Sequence, residues 1–268
     1  SSQMRDLRNV PPDQRSRCVA ATAAEVEQLV KLGVFALVRA DKVPGANPMD
    51  SQIIWRIKYD SLGNYLKDKA RLVMKGYQSK LGVGHFGVFS PMATFITIRA
   101  MAILAALQRR LLYSADVPNA FGRADINALT FAKLPSGISF EKDGISSKDR
   151  NWLIRLLKSL YGLKGAPQMF HKLLQHFFVT ILGYKCLKND SSLYGRAWPP
   201  GSRTDVKVHA YNIVAADVDD MAILSSHDDV LHEFHVALVK HFDVTDFGPM
   251  KSFFGVLFEE LQQGTHKY

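Results

Sequence analysis

Cysteine is scarce. The chain of 268 residues has two, Cys18 and Cys186, far apart and without His or Cys neighbours at metal-ligand spacing. A disulfide framework and a zinc-stapled fold are thereby excluded as sources of stability. Long apolar runs are missing as well. The longest, Ala100 to Leu107, falls far short of the ~20 residues that cross a bilayer. The polar N-terminal stretch offers no secretory h-region. Internal repeats and low-complexity tracts are absent, which sets aside solenoids and disordered tails. These absences predict an intracellular protein, cytoplasmic or nuclear.

What is present is a chain that is 47% hydrophobic, enough for a sizeable core in one or two domains. A net charge of +9 and a pI near 9.5 lean toward a polyanionic partner such as nucleic acid. The basic residues are spread along the chain and form no single tail.

Residues 1–20 carry Pro11-Pro12 and read as a loose leader. Helical periodicity runs from Ala23 to Val34, closed by Gly33. Ile53 to Tyr59 and Tyr65 to Tyr77 read as strands joined by the turn Ser61-Leu62-Gly63-Asn64. The second strand carries Lys67, Lys69, Arg71 and Lys75, which suits either a solvated face or an anion-binding one. Gly82-Val83-Gly84-His85-Phe86-Gly87 fits the spacing of a dinucleotide loop, but Pro91 breaks any helix after it and no acid stands at the required distance. It reads as a loop.

Ile98 to Leu107 predicts a helix, apolar on most of its surface and therefore buried. Leu111 to Val117 is a short strand ending in Asp116. Leu129 to Leu134 is a further strand, and residues 139–150 are charged and loop-like. Pro167 suits the first turn of a helix whose stripe includes Phe170, Leu174 and Phe178. Ser226 to about His241 is another helix, with Asp228 and Asp229 complementing its N-terminal dipole. Gly248-Pro249 reads as a turn and Ser252 to Leu261 as a strand. Strands and helices mix without strict alternation, which predicts an α+β fold.

The chemistry concentrates in Ile213 to Leu224. Two apolar runs flank Asp217-Val218-Asp219-Asp220, a pattern for a β-hairpin with Asp219 and Asp220 at or beside the turn. The acids are either turn formers reaching solvent or ligands of a cation, since buried unpaired charge is costly. Asp116 shares the design of a short strand ending in carboxylate. Neighbouring strands presenting such acids at one edge would make a two-metal site, with cations about 3.5–4 Å apart serving phosphoryl displacement. Mg²⁺ suits oxygen ligands of this kind, with Mn²⁺ as the alternative.

At this point the chain resembles the copia-type retrotransposon reverse transcriptases, in segments that keep the family's order. Trp55 to Asp60 with Gly63, and Lys69-Ala70-Arg71-Leu72-Val73-Met74-Lys75-Gly76-Tyr77, are similar to its first blocks. Phe89-Ser90-Pro91-Met92-Ala93 with Ile98-Arg99, and Asp116-Val117-Pro118-Asn119-Ala120-Phe121, resemble the next. Ser159 to Pro167, Val218-Asp219-Asp220-Met221, Phe242 to Gly248 and Phe253-Phe254-Gly255 complete the series.

The resemblance implies a right-hand architecture. A mainly antiparallel palm sheet (about 113–122 and 166–262) would pack on helices beside fingers (about 50–112 and 123–165), within a domain over 21–268 and with the thumb largely absent. It implies that Asp116, Asp219 and Asp220 hold two metal ions, Asp220 more peripherally. Lys69 and Arg71 would grip the triphosphate of a dNTP, for which a guanidinium fork is well suited. Phe121 would lie under the incoming sugar, unless it simply packs in the core. Tyr161 and Lys164 would shape the nucleotide pocket, Lys75 would track template phosphate, and Phe253 with Gly255 would support the primer.

The implied partners are a template-primer of RNA or DNA and dNTP, with integrase and RNase H portions of a polyprotein elsewhere, and virus-like particles as one location. Three departures from the family pattern stand out. Asp217 replaces its Tyr, Gly165 replaces its Gln, and Gly122 to Ile126 lacks its Leu and Gly. They mark a diverged copy and keep open a catalytically inactive, nucleic-acid-binding remnant. A two-metal nuclease of unrelated fold would need more acids or histidines than the chain offers in suitable places.

Overall fold

Pro11 and Pro12 start a helix. A pyrrolidine ring presets φ and lacks an N–H, so it suits the first helical position. In the computed structural model, which describes residues 3–4, 10–59, 63–76, 90–136, 139–140, 145–146, 151–199 and 210–259, the strand β1 (Gln3–Met4) precedes α1 (Pro12–Lys31). The expected loose leader therefore gives way to helix from Pro12. Asp13 in the first turn and Lys31 in the last complement the helix dipole.

The chain continues through β2 (Phe35–Arg39), β3 (Ser51–Tyr59), β4 (Tyr65–Met74), α2 (Phe95–Leu107), β5 (Tyr113–Asp116) and β6 (Asp125–Lys133). Then come β7 (Ser139–Phe140), β8 (Ile145–Ser146), β9 (Trp152–Lys158), α3 (Ala166–Gln175), β10 (Lys185–Leu187) and β11 (Asp190–Trp198). The last elements are β12 (Ala210–Asp217), β13 (Asp220–Ser225), α4 (Asp228–Phe242), β14 (Asp246–Pro249), β15 (Ser252–Phe253) and β16 (Val256–Leu257). Every pairing between these strands is antiparallel, in keeping with the α+β expectation.

The chain forms two compact units: Ser1–Phe89 with Phe121–Phe170, and Ser90–Ala120 with His171–Tyr268. In the first, a sheet of order β1-β3-β4 and a sheet of order β2-β9-β6 share a core that includes Leu29, Trp55, Leu72, Met74 and Ile154. Trp55 is buried whole, and its indole N–H donates to Thr22 Oγ1 at 2.8 Å, so the polar end carries no desolvation penalty.

In the second unit, six strands run in the order β10-β11-β12-β13-β5-β14. Ala215, Ala222 and Leu224 pack with Ile98 and Met101 of α2. Val214, Met221 and Ile223 alternate with them and are equally buried. Both sheet faces are thus covered at β12 and β13, and this is why their sequences read as continuous apolar runs.

Several sequence expectations change. α2 is not buried throughout: Thr94 caps it by accepting from the Thr97 amide, and Ile96, Ile103 and Leu107 are exposed. Hydrophobic content without a clear stripe cannot tell a buried helix from a half-covered one. Within the stretch read as loop, Ser139–Phe140 and Ile145–Ser146 form the short pair β7–β8. Gly248-Pro249 ends β14, an edge strand, where a missing N–H is tolerated. The strand expected over Ser252–Leu261 is the hairpin β15–β16, whose turn residues Phe254 and Gly255 have φ of 51° and 75°. Two consecutive left-handed residues are the requirement of a type I′ turn. The loop reading at Gly82 to Gly87 lies outside the described residues.

Candidate active site

The register of β12 on β13 pairs Asp217 with Asp220, leaving Val218 and Asp219 as a two-residue turn. Val218 has φ of 56°. A β-branched residue in the left-handed region is uncommon and stores roughly 1–3 kcal/mol of strain. The turn is tied to β5 because the Val117 amide donates to the Asp219 carbonyl at 2.9 Å.

The same register builds a row of acids. Asp220 also faces Asp116 on β5, and Asp116 faces Asp246 on β14. Directly opposed residues project on one face, so Asp217, Asp220, Asp116 and Asp246 cross four adjacent strands in line. Strands lie about 4.8 Å apart, so like charges at this spacing repel. All four acids line an open cavity of about 620 Å³, together with Ser114, Lys251, Phe253 and Phe254.

Asp217 shows the strain of the row most directly. Its Oδ1 is buried and has no hydrogen-bond partner among the described residues. Burial pushes its carboxyl above the usual range, and the charge of Asp219 pushes the same way.

Carboxylate oxygens are the donors a hard cation takes, and Mg²⁺ is commonly held by one or two of them with substrate phosphates completing its shell. The row offers oxygen donors of that kind. Among the described residues there is no group of three or more His, Cys, Asp or Glu arranged to close around a metal by itself.

The remaining expected site residues gather in the first unit. Arg71 lies over the Tyr161 ring at 4.3 Å, and that ring meets Phe121 edge-on at 4.8 Å. Phe121 in turn meets Phe170 at 6.4 Å, so the core-packing reading of Phe121 and the sugar-facing one are compatible. The Arg71 Nε is buried without a partner among the described residues.

The turn that carries Tyr161 is pressed against β4. The Met74 amide donates to the Tyr161 carbonyl at 2.8 Å. Gly162 has φ of 88°, and a Cβ there would collide with the Met74 carbonyl oxygen. Only glycine allows that approach. Lys69 sits opposite Arg56 in the β3–β4 ladder, Lys75 donates its amide to Asp50, and Lys164 is half-buried just past Gly162.

The expected residues therefore fall into two groups, each inside one unit. Arg71, Tyr161 and Phe121 touch in sequence. Asp116 and Asp220 oppose each other on two adjacent strands, whereas Asp219 stands in the turn with its carbonyl on the Val117 amide and is not among the residues that line the cavity. Phe253 precedes the β15–β16 turn and Gly255 lies in it, and Phe253 reaches the cavity. Sequence reasoning misses Asp246 and Lys251. Asp246 stands inside the Phe242–Gly248 segment, and its acid pairs with Asp116 only once β14 is recognised as a strand.

The family model for "Reverse transcriptase (RNA-dependent DNA polymerase)" matches residues 33–267 of the chain. The chain is 28% identical over 243 residues to a retrovirus-related Pol polyprotein from transposon TNT 1-94 of Nicotiana tabacum, covering 91% of this chain and 17% of the relative. It is 30% identical over 214 residues to the Pol polyprotein from transposon RE1 of Arabidopsis thaliana, covering 80% of this chain and 13% of that relative. The chain thus spans less than a fifth of these curated relatives.

Proposed function

This chain belongs to the reverse transcriptase (RNA-dependent DNA polymerase) family, as a diverged copia-type member, and from that premise we propose that it is an RNA-directed DNA polymerase domain transferring nucleotides from dNTP to a primer 3′-hydroxyl. The observation that carries this reading is the row of opposed acids lining one cavity in the second unit. No packing need explains four carboxylates in line, whereas a reaction that gathers phosphates and cations does.

In this reading Asp116, Asp219 and Asp220 would hold two Mg²⁺ ions, which would supply charge stabilisation to the phosphate oxygens. Arg71, stacked on Tyr161, presents its guanidinium fork to the triphosphate, with Lys69 beside it and Lys164 at the pocket edge. Phe121 bounds the space under the sugar. Lys75 tracks template phosphate, and the hairpin of Phe253 and Gly255 supports the primer. Catalysis is mainly positional and electrostatic.

In this reading the fingers correspond to about 50–112 and 123–165 and the palm to about 113–122 and 166–262. The partners are template-primer, dNTP and the other portions of a Pol polyprotein, in an intracellular setting.

Primer extension on an RNA template with Mg²⁺ tests the reading. Asp219→Asn is expected to lose at least about a thousandfold in rate, since it removes a charge that acts only with the others. Equal extension by both proteins sinks it. Salt-dependent binding of template-primer with no extension by the unaltered chain would instead make it a binding remnant.

A further inference from the structure

Glu25 is a buried carboxylate that the proposed chemistry does not use. It lies on α1 with 6% of its surface exposed. A buried charge persists only where hydrogen bonds and opposite charges offset its desolvation. Here the offset comes from the strand that carries the phosphate-gripping residues. The Leu72 amide donates to Glu25 Oε1 at 3.3 Å. Burial raises the Glu25 carboxyl overall, and the Leu72 bond and the charges of Lys69 and Arg71 draw it back only in part.

β4 ends its sheet, so among the described residues one of its sides has no strand partner. Residues two apart along a strand send their amides to the same side, so Leu72 and Met74 share that open edge. Glu25 takes the first amide and the Tyr161 carbonyl takes the second. Arg71 stands between Leu72 and the basic run before it, and its guanidinium lies on the ring of the same Tyr161. The edge that α1 closes is therefore the edge that aligns Arg71 with Tyr161.

We propose that Glu25 is a positioning residue for triphosphate recognition: its carboxylate clamps the open edge of β4 at Leu72 and so fixes the Arg71–Tyr161 pair. The proposal rests on the reading that Arg71 grips a dNTP. It requires the hydrogen-bond acceptor more than the charge. Glu25→Gln, which keeps an acceptor at the same reach, should retain function. Glu25→Met, of similar length without an acceptor, should not.

The test is equilibrium binding of dTTP with Mg²⁺ to the full chain, paired with hydrogen exchange at the Leu72 and Met74 amides. Neither readout needs polymerase turnover. Glu25→Met is expected to weaken dTTP binding about tenfold and to speed exchange at Leu72. Glu25→Gln should stay within about twofold of the unaltered protein. Glu25→Asp, which draws the acceptor back by one methylene and is the milder change, should weaken binding about threefold.

Leu29→Ala, one turn along α1 in the same core, should lower the melting temperature while leaving dTTP affinity unchanged. Faster Leu72 exchange in Glu25→Met with unaltered dTTP affinity, or unaltered affinity in Glu25→Asp, overturns the proposal. So does a Glu25→Gln protein as weak as Glu25→Met. If Arg71→Ala itself leaves dTTP affinity unchanged, the triphosphate reading fails, and the exchange data still report the clamp separately.

Discussion

Around Arg71 the neighbours are partners. Its guanidinium lies on Tyr161, Tyr161 meets Phe121, and the Tyr161 carbonyl holds the Met74 amide of the strand that carries Arg71. Around Asp116 the neighbours are like charges. Asp220 and Asp246 oppose it directly, and Asp217 continues the row with a buried oxygen left unpaired among the described residues. The first arrangement is closed by packing and backbone contact. The second is held in line by strand register and faces an open cavity. The cluster in the first unit is therefore expected to fail by losing shape, and the row in the second by changing charge. Substitutions can separate the two modes.

The largest effect is expected at Gly162. Gly162→Ala places a Cβ about where the Met74 carbonyl stands, at a φ that disfavours it. Urea unfolding should show a loss of about 4 kcal/mol or more. A midpoint equal to that of the unaltered protein would mean that the turn does not cross β4 this closely.

Tyr161→Leu comes next. It removes the ring between Arg71 and Phe121, and the KM for dNTP in primer extension should rise about five- to tenfold, with a smaller change in kcat. An unchanged KM would detach the aromatic ring from substrate binding.

Val218→Gly tests the second region by relieving backbone strain. The urea midpoint should rise by the equivalent of about 1 kcal/mol. A fall would show that the valine side chain contributes more than its backbone costs.

The smallest effect belongs to Asp217→Asn. A carboxyl whose folded value is raised binds its proton more readily in the folded state than in the unfolded one. Unaltered protein is therefore penalised where Asp217 is ionised, and regains stability as pH falls through the raised value. Asp217→Asn should raise the melting temperature at pH 7 by roughly 1–2 °C, discounted for partial solvent exposure. The gap should close as pH drops below the ordinary carboxylate value of 3.8. A gap that widens on acidification would contradict the row as described.

Much of the site is legible without the fold, because its signals are local. The two apolar runs place a turn at or beside Asp219 and Asp220; the register centres it one residue earlier, on Val218 and Asp219, and puts Asp220 in β13. Asp116 ends a short, mostly apolar segment that reads as a strand. The resemblance already sets Asp116 beside the Asp219-Asp220 hairpin, and the register bears that neighbourhood out; the pairing of Asp116 with Asp246 is not legible, since register between distant strands leaves no trace in either one.

The helix from Pro12 escapes sequence reasoning because two prolines in a polar stretch read equally as a loop. The exposed side of α2 escapes it because an almost uniformly apolar helix carries no stripe to orient it. Glu25 reads as an ordinary helical charge. Only the open edge of β4 shows what its carboxylate does.

The position of β5 in its sheet has a consequence for how the protein is made. β5 pairs on one side with β13 and on the other with β14, both of which leave the ribosome long after it. At about 5–20 residues per second, Asp116 waits on the order of ten seconds for its last neighbour. Until β14 docks, β5 has an unpaired edge, and such edges recruit other chains. The strand that centres the carboxylate row is thus exposed to misassembly during synthesis until its second neighbour arrives.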